Sequence, residues 1–354
     1  MFAAITARPE TALRRARAGS AAAWLDAWAA TWAGACCVTL AALALLCCGP
    51  ARAAGVSLSL LVSTTPLSLP VYVAQARGFF ELEGLDARVT DCTGGFRCLQ
   101  ALLDRQGDIA TVGDLPLALR AFQRKDFAVL ATMAHSSEDL KLVADSGRGI
   151  ATVAQLGGKR IGAVRGSASQ YFLESLLFNA GIDPRGVTIV DLAPEGIAGA
   201  ARSGAVDAVA IWEPYAHAAR EAWGPRALVL PTATVYRQTF NLVAHRSLVG
   251  ARDDALRRLL RAIERAQRYI HDEPAAARAL LAARLKLDGR VAEAAAEGMG
   301  FKLGLDQSLV STMESQARWA RREGHVDMRQ LPNYLELVHR APLLAVNPSA
   351  VGLR

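Results

Sequence analysis

The chain has 354 residues, of which 52% are hydrophobic and 21% charged, which excludes global disorder and leaves ample material for a packed core. That length exceeds one domain of ordinary size, so a two-lobed body is expected. The formal net charge is +7, but residues 1–53 hold five Arg against two acids and leave only +4 on the rest. Only five of the 40 basic residues are Lys, and no basic run is interleaved with aromatics, so nucleic acid is not an expected partner.

Arg8, Arg14, Arg15 and Arg17 precede an uncharged stretch at 27–48, densest in apolar residues over 38–48. Gly49-Pro50 and the small-residue run Ala51-Arg52-Ala53-Ala54 follow. A positive segment, an apolar segment and an A-x-A site are the parts of a secretory signal, with cleavage after Ala53. Two alternatives stand beside it. The uncharged run is long enough to act as an uncleaved anchor. Cys47 and Cys48 after Leu45-Leu46 resemble a lipidation site, although the residue before such a Cys is usually small. All three put residues 55–354 outside the cytoplasm. No later segment is apolar enough to span a membrane, so the body is expected to be soluble and to meet a membrane only through an uncleaved or lipidated N-terminus.

Cleavage leaves two of the six cysteines, Cys92 and Cys98. In an oxidising compartment such a pair either forms a disulfide or stays as two small buried thiols, and geometry decides between them. Without a nearby His they make a poor zinc site, and no metal is expected.

The body alternates strand and helix. A strand is predicted at 56–62, a loop at 63–70, a helix ending near Gly78, and a strand near 87–90. The loop at 91–97 opens a helix at 98–105, which Gly107 stops, and 108–112 reads as a buried strand. Pro116 starts another helix, and 128–133 is another strand. Strand 159–164, loop 166–170, helix 171–179 stopped by Gly181, strand 187–192, helix 197–202 and strand 205–212 repeat the pattern. Such alternation defines βαβ units with helix-covered, mainly parallel sheets. The run from Gly107-Asp108 to Pro116 is echoed by the run from Gly204 through Asp207 to Pro214: helix, Gly, Asp, buried strand and Pro follow in the same order. Beyond 245 the chain turns helical, at 253–270, 274–285, 291–299 and 307–322. Apolar residues there recur at helical spacing opposite a mixed-charge face, as in a solvated covering layer.

Catalytic motifs are missing. Gly166-Ser167-Ala168-Ser169 lacks the second Gly of a nucleophile elbow. Gly157-Gly158-Lys159-Arg160 lacks the spacing and the hydroxyl residue of a phosphate loop. The six His are dispersed. No enzyme activity and no cofactor are therefore expected. The strand ends are instead rich in Gly, Ser and Thr: the loop from Ser63 to Ser68, Thr93-Gly94-Gly95, Gly113-Asp114, His135-Ser136-Ser137, and the loop from Gly166 to Ser169. In open α/β sheets ligands sit at that edge, where helix N-termini present unpaired N–H groups suited to an oxyanion.

Several segments carry a family resemblance, in order. They are Pro70-Val71-Tyr72-Val73-Ala74-Gln75-Ala76-Arg77-Gly78-Phe79-Phe80 with Gly84-Leu85, Thr93-Gly94-Gly95 with Gln100-Ala101-Leu102, Gly107-Asp108-Ile109-Ala110, and Leu156-Gly157-Gly158-Lys159-Arg160-Ile161. The run from Gly204 through Trp212-Glu213-Pro214-Tyr215 completes the series. Over 56–353 the chain resembles the nitrate/sulfonate/taurine-type substrate-binding proteins of ABC importers, including their thiamine-precursor-binding branch. The resemblance implies an α/β, two-lobed type II periplasmic-binding-protein fold with a hinge of two crossover strands. Lobe one would be 55–143 plus 240–354, and lobe two 144–239. The ligand would lie between them.

Carried onto this sequence, the resemblance implies that Thr65, Ser68, Gly95, Asp114, Ser167, Ala168 and Ser169 line the cleft, with Trp212 and Glu213 at a strand end beside it. His135 and Asn241 complete the expected ligand set. Arg97 either neutralises an anion or is simply solvated. Cys92 and Cys98 depart from the family pattern, and a bridge between them would stiffen a ligand loop. The sign of the ligand stays open. Helix ends, hydroxyls and Arg97 favour sulfonate, nitrate or another oxyanion, whereas Asp114 and Glu213 favour an amine or ring N–H, and a zwitterion satisfies both. The expected protein is a monomeric periplasmic subunit that hands a small-molecule ligand to an ABC permease with a cytoplasmic ATPase. An enzyme or ligand sensor on the same fold, including one for pyrimidines or thiamine precursors, is the alternative.

Overall fold

In the computed structural model, residues 55–232, 235–327 and 330–353 are described; the expected secretory signal lies outside them. The strands are β1 (Val56–Ser63), β2 (Leu85–Cys92), β3 (Ile109–Gly113), β4 (Phe127–Ser136), β5 (Leu140–Asp145), β6 (Arg160–Ala163), β7 (Thr188–Asp191), β8 (Ala208–Trp212), β9 (Ala227–Leu230), β10 (Gln238–His245) and β11 (Met299–Gly300). The helices are α1 (Leu69–Ala76), α2 (Phe79–Leu82), α3 (Gly95–Leu103), α4 (Asp114–Arg120), α5 (Ala168–Asn179), α6 (Ile197–Ser203), α7 (Tyr215–Trp223), α8 (Asp253–Asp272), α9 (Pro274–Leu285), α10 (Gly289–Ala296), α11 (Gln307–Arg322) and α12 (Ala341–Val346).

Two sheets result, in the orders β11-β4-β10-β3-β1-β2 and β7-β6-β8-β5-β9. Each has its own apolar core. Parallel pairing joins β1 to β2 and β3, and β6 to β7 and β8. Within that mainly parallel arrangement each sheet takes in one antiparallel strand at a crossing, and β11 pairs antiparallel with β4 at the edge of the first. β10 lies between β3 and β4, and β5 between β8 and β9. The chain leaves the first sheet after Ser136, enters the second at Leu140, leaves it after Leu230 and returns at Gln238. β5 thus belongs wholly to the second sheet, whereas the expected boundary at 143/144 cuts through it.

The internal echo falls on topologically equivalent strands, β3 and β8. The Asp before each does the same work. Asp108 Oδ2 accepts from the backbone N–H and the hydroxyl of Ser59 on β1, each at 2.8 Å. Asp207 Oδ2 accepts from the backbone N–H of Arg160 at the start of β6, at 2.9 Å. A carboxylate at the end of the central strand therefore pins the neighbouring parallel strand in both lobes.

Helix α8 shows how the covering layer is held. Leu256, Leu259, Leu260 and Ile263 recur at helical spacing and are fully buried, each contributing about 1.5–3 kcal/mol. Arg261 and Arg265 grip the Glu83 carboxylate at 2.6 and 2.8 Å. Burial alone would raise the Glu83 pKa, but these two guanidinium groups outweigh it and hold it below the usual carboxylate range. Among the described residues no helix is long and apolar enough to cross a membrane.

Candidate functional site

The ends of β1, β3 and β8 meet the N-termini of α3 and α5 around a narrow cavity of about 30 Å³. Its wall draws on both sheets and both crossings: Thr65, Gly94, Gly95 and Phe96 from the first lobe, Ser167, Ala168 and Trp212 from the second, and Asp139 and Gln238 from the crossings. Leu67, Phe96, Trp212 and Phe240 narrow it with apolar surface. The space suits one or two water molecules. A solute of several atoms enters only if the lobes part.

Helix α3 begins at Gly94, whose φ of 83° and ψ of 142° suit glycine alone. No side chain caps it, and Gly94, Gly95 and Phe96 at its start lie on the cavity wall. Gly95 is fixed by close approach: a Cβ there would come within 3.1 Å of both the Gly113 N and the Val112 Cα. Cys92 and Cys98 are bridged, which ties the end of β2 to α3 across this loop. Helix α5 begins after Ser167, whose hydroxyl donates to the Val164 carbonyl at 2.8 Å and accepts from the Ser169 N–H at 3.2 Å. The Ala168 end of that helix is also on the wall.

Of the expected site residues, Thr65, Gly95, Ser167, Ala168 and Trp212 are on the cavity wall. The other seven lie off it, each with other partners. Asp114 is completely buried and collects donors. Oδ1 accepts from Leu115 N–H at 2.8 Å, Gln316 Nε2 at 3.0 Å and the Tyr236 hydroxyl; Oδ2 accepts from the N–H and hydroxyl of Thr239 at 2.9 and 3.0 Å. Burial pushes the Asp114 pKa up, and these donors pull it back only in part. Glu213 accepts from the His217 N–H at 2.9 Å and pairs with Arg220 at 3.2 Å, so it serves the start of α7. Ser68 donates to the Ser63 carbonyl, Ser169 to the Ala210 carbonyl, and Asn241 ties β10 to Thr132 on β4 and Val112 on β3. His135 packs against Gly300 at the β4–β11 edge. Burial, followed by the nearby Arg237 charge, lowers its pKa.

Arg97 reaches across to the other lobe and pairs with Glu195 at 3.0 Å. Both side chains are about half exposed, so the pair is worth at most about 1 kcal/mol. A second bridge is buried. Glu174 on α5 accepts from Trp319 Nε1 on α11 at 3.0 Å and lies 3.4 Å from His325 Nε2. Tyr171 on α5 packs edge-on against Trp319 and Tyr236, each at 5.1 Å. Phe96 packs into the second lobe's core. Together these contacts hold the lobes close.

Sequence reasoning missed Asp139 and Gln238. Asp139 is 2% exposed, and its Oδ1 has no hydrogen-bond partner. Burial first, and the Glu213 charge second, push its carboxyl up to about 8 against the opposing pull of Lys141. Among the described residues seven buried side-chain polar atoms lack a partner. Three of them, Thr65 Oγ1, Asp139 Oδ1 and Gln238 Oε1, belong to residues of this one wall. Orphaned buried polar atoms are rare in folded proteins, so their concentration marks a place where something else supplies the partners.

Two sheets of this order, each taking in an antiparallel strand at the crossing, with a cleft between them, define the periplasmic-binding-protein fold. An alkanesulfonate-binding protein, SsuA from Xanthomonas axonopodis pv. citri bound to MOPS, shares it. The TM-score is 0.70 at 19% identity, over 82% of this chain and 100% of that one. The chain belongs to the NMT1/THI5-like family, whose model matches residues 65–277. Among its relatives, a provisionally named aliphatic sulfonates-binding protein of Bacillus subtilis (strain 168) is 27% identical over 179 residues, 49% of this chain and 54% of that protein. The taurine-binding periplasmic protein of Escherichia coli (strain K12) is 33% identical over 154 residues, 42% of this chain and 46% of that protein. The matched stretch thus spans only about half the length of each of these two relatives.

Proposed function

We propose that this protein is a periplasmic solute-binding subunit that captures a small oxyanion of the sulfonate class between its lobes and hands it to an ABC permease. The observation that carries this reading is the concentration of unpartnered buried polar atoms on the cavity wall, beside the N-termini of α3 and α5. Helix N-termini offer N–H groups and the positive dipole end to an oxyanion at no reorganisation cost. The names of the sulfonate- and taurine-binding relatives favour the same class. Among the residues lining the cavity there is no imidazole, thiol or amine, which favours capture over chemistry. The exposed Arg97–Glu195 pair is weak enough to break whenever the lobes part for entry and release.

Isothermal titration with short alkanesulfonates, aminosulfonates and nitrate tests this reading. One-to-one binding in the micromolar range, about −8 kcal/mol, is expected for at least one of them. No binding by any of them, or chemical conversion of a bound one, contradicts it. Thr65→Val sharpens the test. The change keeps the shape and removes an unsatisfied hydroxyl, so stability should hold or rise by about 1 kcal/mol. Affinity should fall at least about tenfold, the scale of one hydrogen bond to a charged group. An unchanged affinity would take Thr65 out of the binding site.

A further inference from the structure

We propose that the first lobe carries a second anion site, remote from the solute cavity, in which the buried imidazole of His245 and the guanidinium of Arg105 hold a small oxyanion of the phosphate class. The site lies at the opposite end of the strands from that cavity. There the start of β3, the start of β4 and the end of β10 come together. Two adjoining hollows of about 190 and 620 Å³ open at this end, and Arg105, His245 and Ser247 line both. The solute cavity is reached instead at Gly113, where β3 finishes. The inference is thus independent of the solute-binding reading.

His245 ends β10 and is only 4% exposed. Its Nδ1 accepts from the Ser247 N–H at 3.2 Å and lies 2.8 Å from the Ser247 hydroxyl. A ring nitrogen that accepts from an N–H carries no proton, so the imidazole is neutral and its proton sits on Nε2. Burial, followed by the Arg105 charge, lowers the pKa of the ring in the same sense. Nε2 is therefore a buried donor, and it has no hydrogen-bond partner. The Asp126 carboxylate stands 3.8 Å from it, held by Arg124, whose Nε donates to Oδ1 at 2.8 Å. Asp108, on the wall of the smaller hollow, is spent on Ser59. Lys125 and Arg246 border the wider hollow and turn to Glu336. Lys125 pairs with its carboxylate at 3.3 Å, whereas Arg246 donates to its backbone carbonyl at 2.9 Å, a contact that leaves the positive charge in place. Arg105 follows α3 with a φ of 59°, a left-handed conformation that glycine adopts more easily. An arginine there costs stability and puts a guanidinium at both hollows. A recessed N–H donor set among cations, with the neighbouring carboxylates already engaged, is suited to an oxygen of a phosphate-type anion. A closed network of surface ion pairs would leave no such donor orphaned.

The test is nitrogen NMR of the protein labelled at its histidines, titrated with inorganic phosphate against chloride at constant ionic strength. His245→Asn assigns the signal, because it keeps an acceptor for the Ser247 N–H and removes Nε2. A saturable shift of the His245 Nε2 signal is expected, with a dissociation constant of millimolar order or tighter. Arg105→Gly should weaken phosphate at least about tenfold, the scale of one charge-assisted hydrogen bond. The same change relieves the left-handed position, so thermal unfolding without phosphate should stay level or rise. Thr65→Val, in the solute cavity, should leave the phosphate response unchanged. A parallel titration with phosphatidylglycerol vesicles separates the two carriers of the group: a shift with the ion supports a free phosphate, and a shift with vesicles alone supports a lipid headgroup. No shift with either, an affinity that survives Arg105→Gly, or a response lost in Thr65→Val overturns the site while leaving the solute-binding reading in place.

Discussion

Replacing Asp114 by alanine is expected to lower the stability of the folded protein by roughly 3–5 kcal/mol, the range for breaking a buried hydrogen-bond network. This carboxyl gathers the Tyr236 hydroxyl, the Gln316 amide, the Thr239 N–H and hydroxyl, and the Leu115 N–H. Alanine strands these donors where water does not reach. The three elements they join are the start of α4, the second crossing and α11, so the loss spreads beyond one helix cap. Thermal unfolding should shift downward on the order of 10 °C. Asp114→Asn keeps one acceptor oxygen and should cost visibly less. An alanine variant within about 1 kcal/mol of wild type, the scale of an ordinary surface change, would mean that the network is not closed as described.

The second large effect is a pH dependence set by Asp139. Its carboxyl is raised from 3.8 to about 8 by burial and by Glu213. Between those values the folded protein holds a proton that the unfolded chain has released. Stability from this group therefore falls as pH rises from about 4 to about 8, by about 1.4 kcal/mol per pH unit at the steepest. It is fully present below the unfolded value and gone above the folded one. Asp139→Asn removes the titration, so the variant should gain on the wild type steadily from pH 5 to pH 8. Comparing the two proteins cancels His135 and His245, whose pKa values burial lowers in both. Parallel stability curves over that range would show that Asp139 titrates normally. The destabilised carboxyl fits a binding site, where stability is given up to keep a partner-seeking group in place.

Much of the architecture was legible because it is local. Gly107-Asp108 and Gly204 with Asp207 flag strands that occupy equivalent places, and the shared Asp has the same strand-pinning bond in each lobe. The amphipathic stretches after 245 are helices, although the one expected over 291–299 runs from Gly289 to Ala296 and gives way to β11 at Met299. The two crossover strands were expected from the family resemblance alone; local pattern did not place β5 and β10, since each pairs antiparallel and borrows both neighbours from distant chain.

The site divides along the same line. Thr65, Gly95, Ser167 and Ala168 face the cavity because a loop at a strand end and the first turn of a helix fix their direction locally. Asp114 sits at an equally suggestive strand end, yet its partners arrive from 122 and 202 residues further on, and they claim the carboxyl. Asp139 has the opposite history. Beside Ser136-Ser137-Glu138 it reads as a surface acid, and only the convergence of two crossings buries it.

The most direct test of the account is a crystal structure of the protein grown with a saturating alkanesulfonate or aminosulfonate. The account predicts the oxyanion between the N-termini of α3 and α5, within hydrogen-bond distance of the Gly95 or Phe96 N–H, the Ala168 N–H and the Thr65 hydroxyl. A sulfonate bound elsewhere, or a cleft still holding only water at saturation, would contradict it.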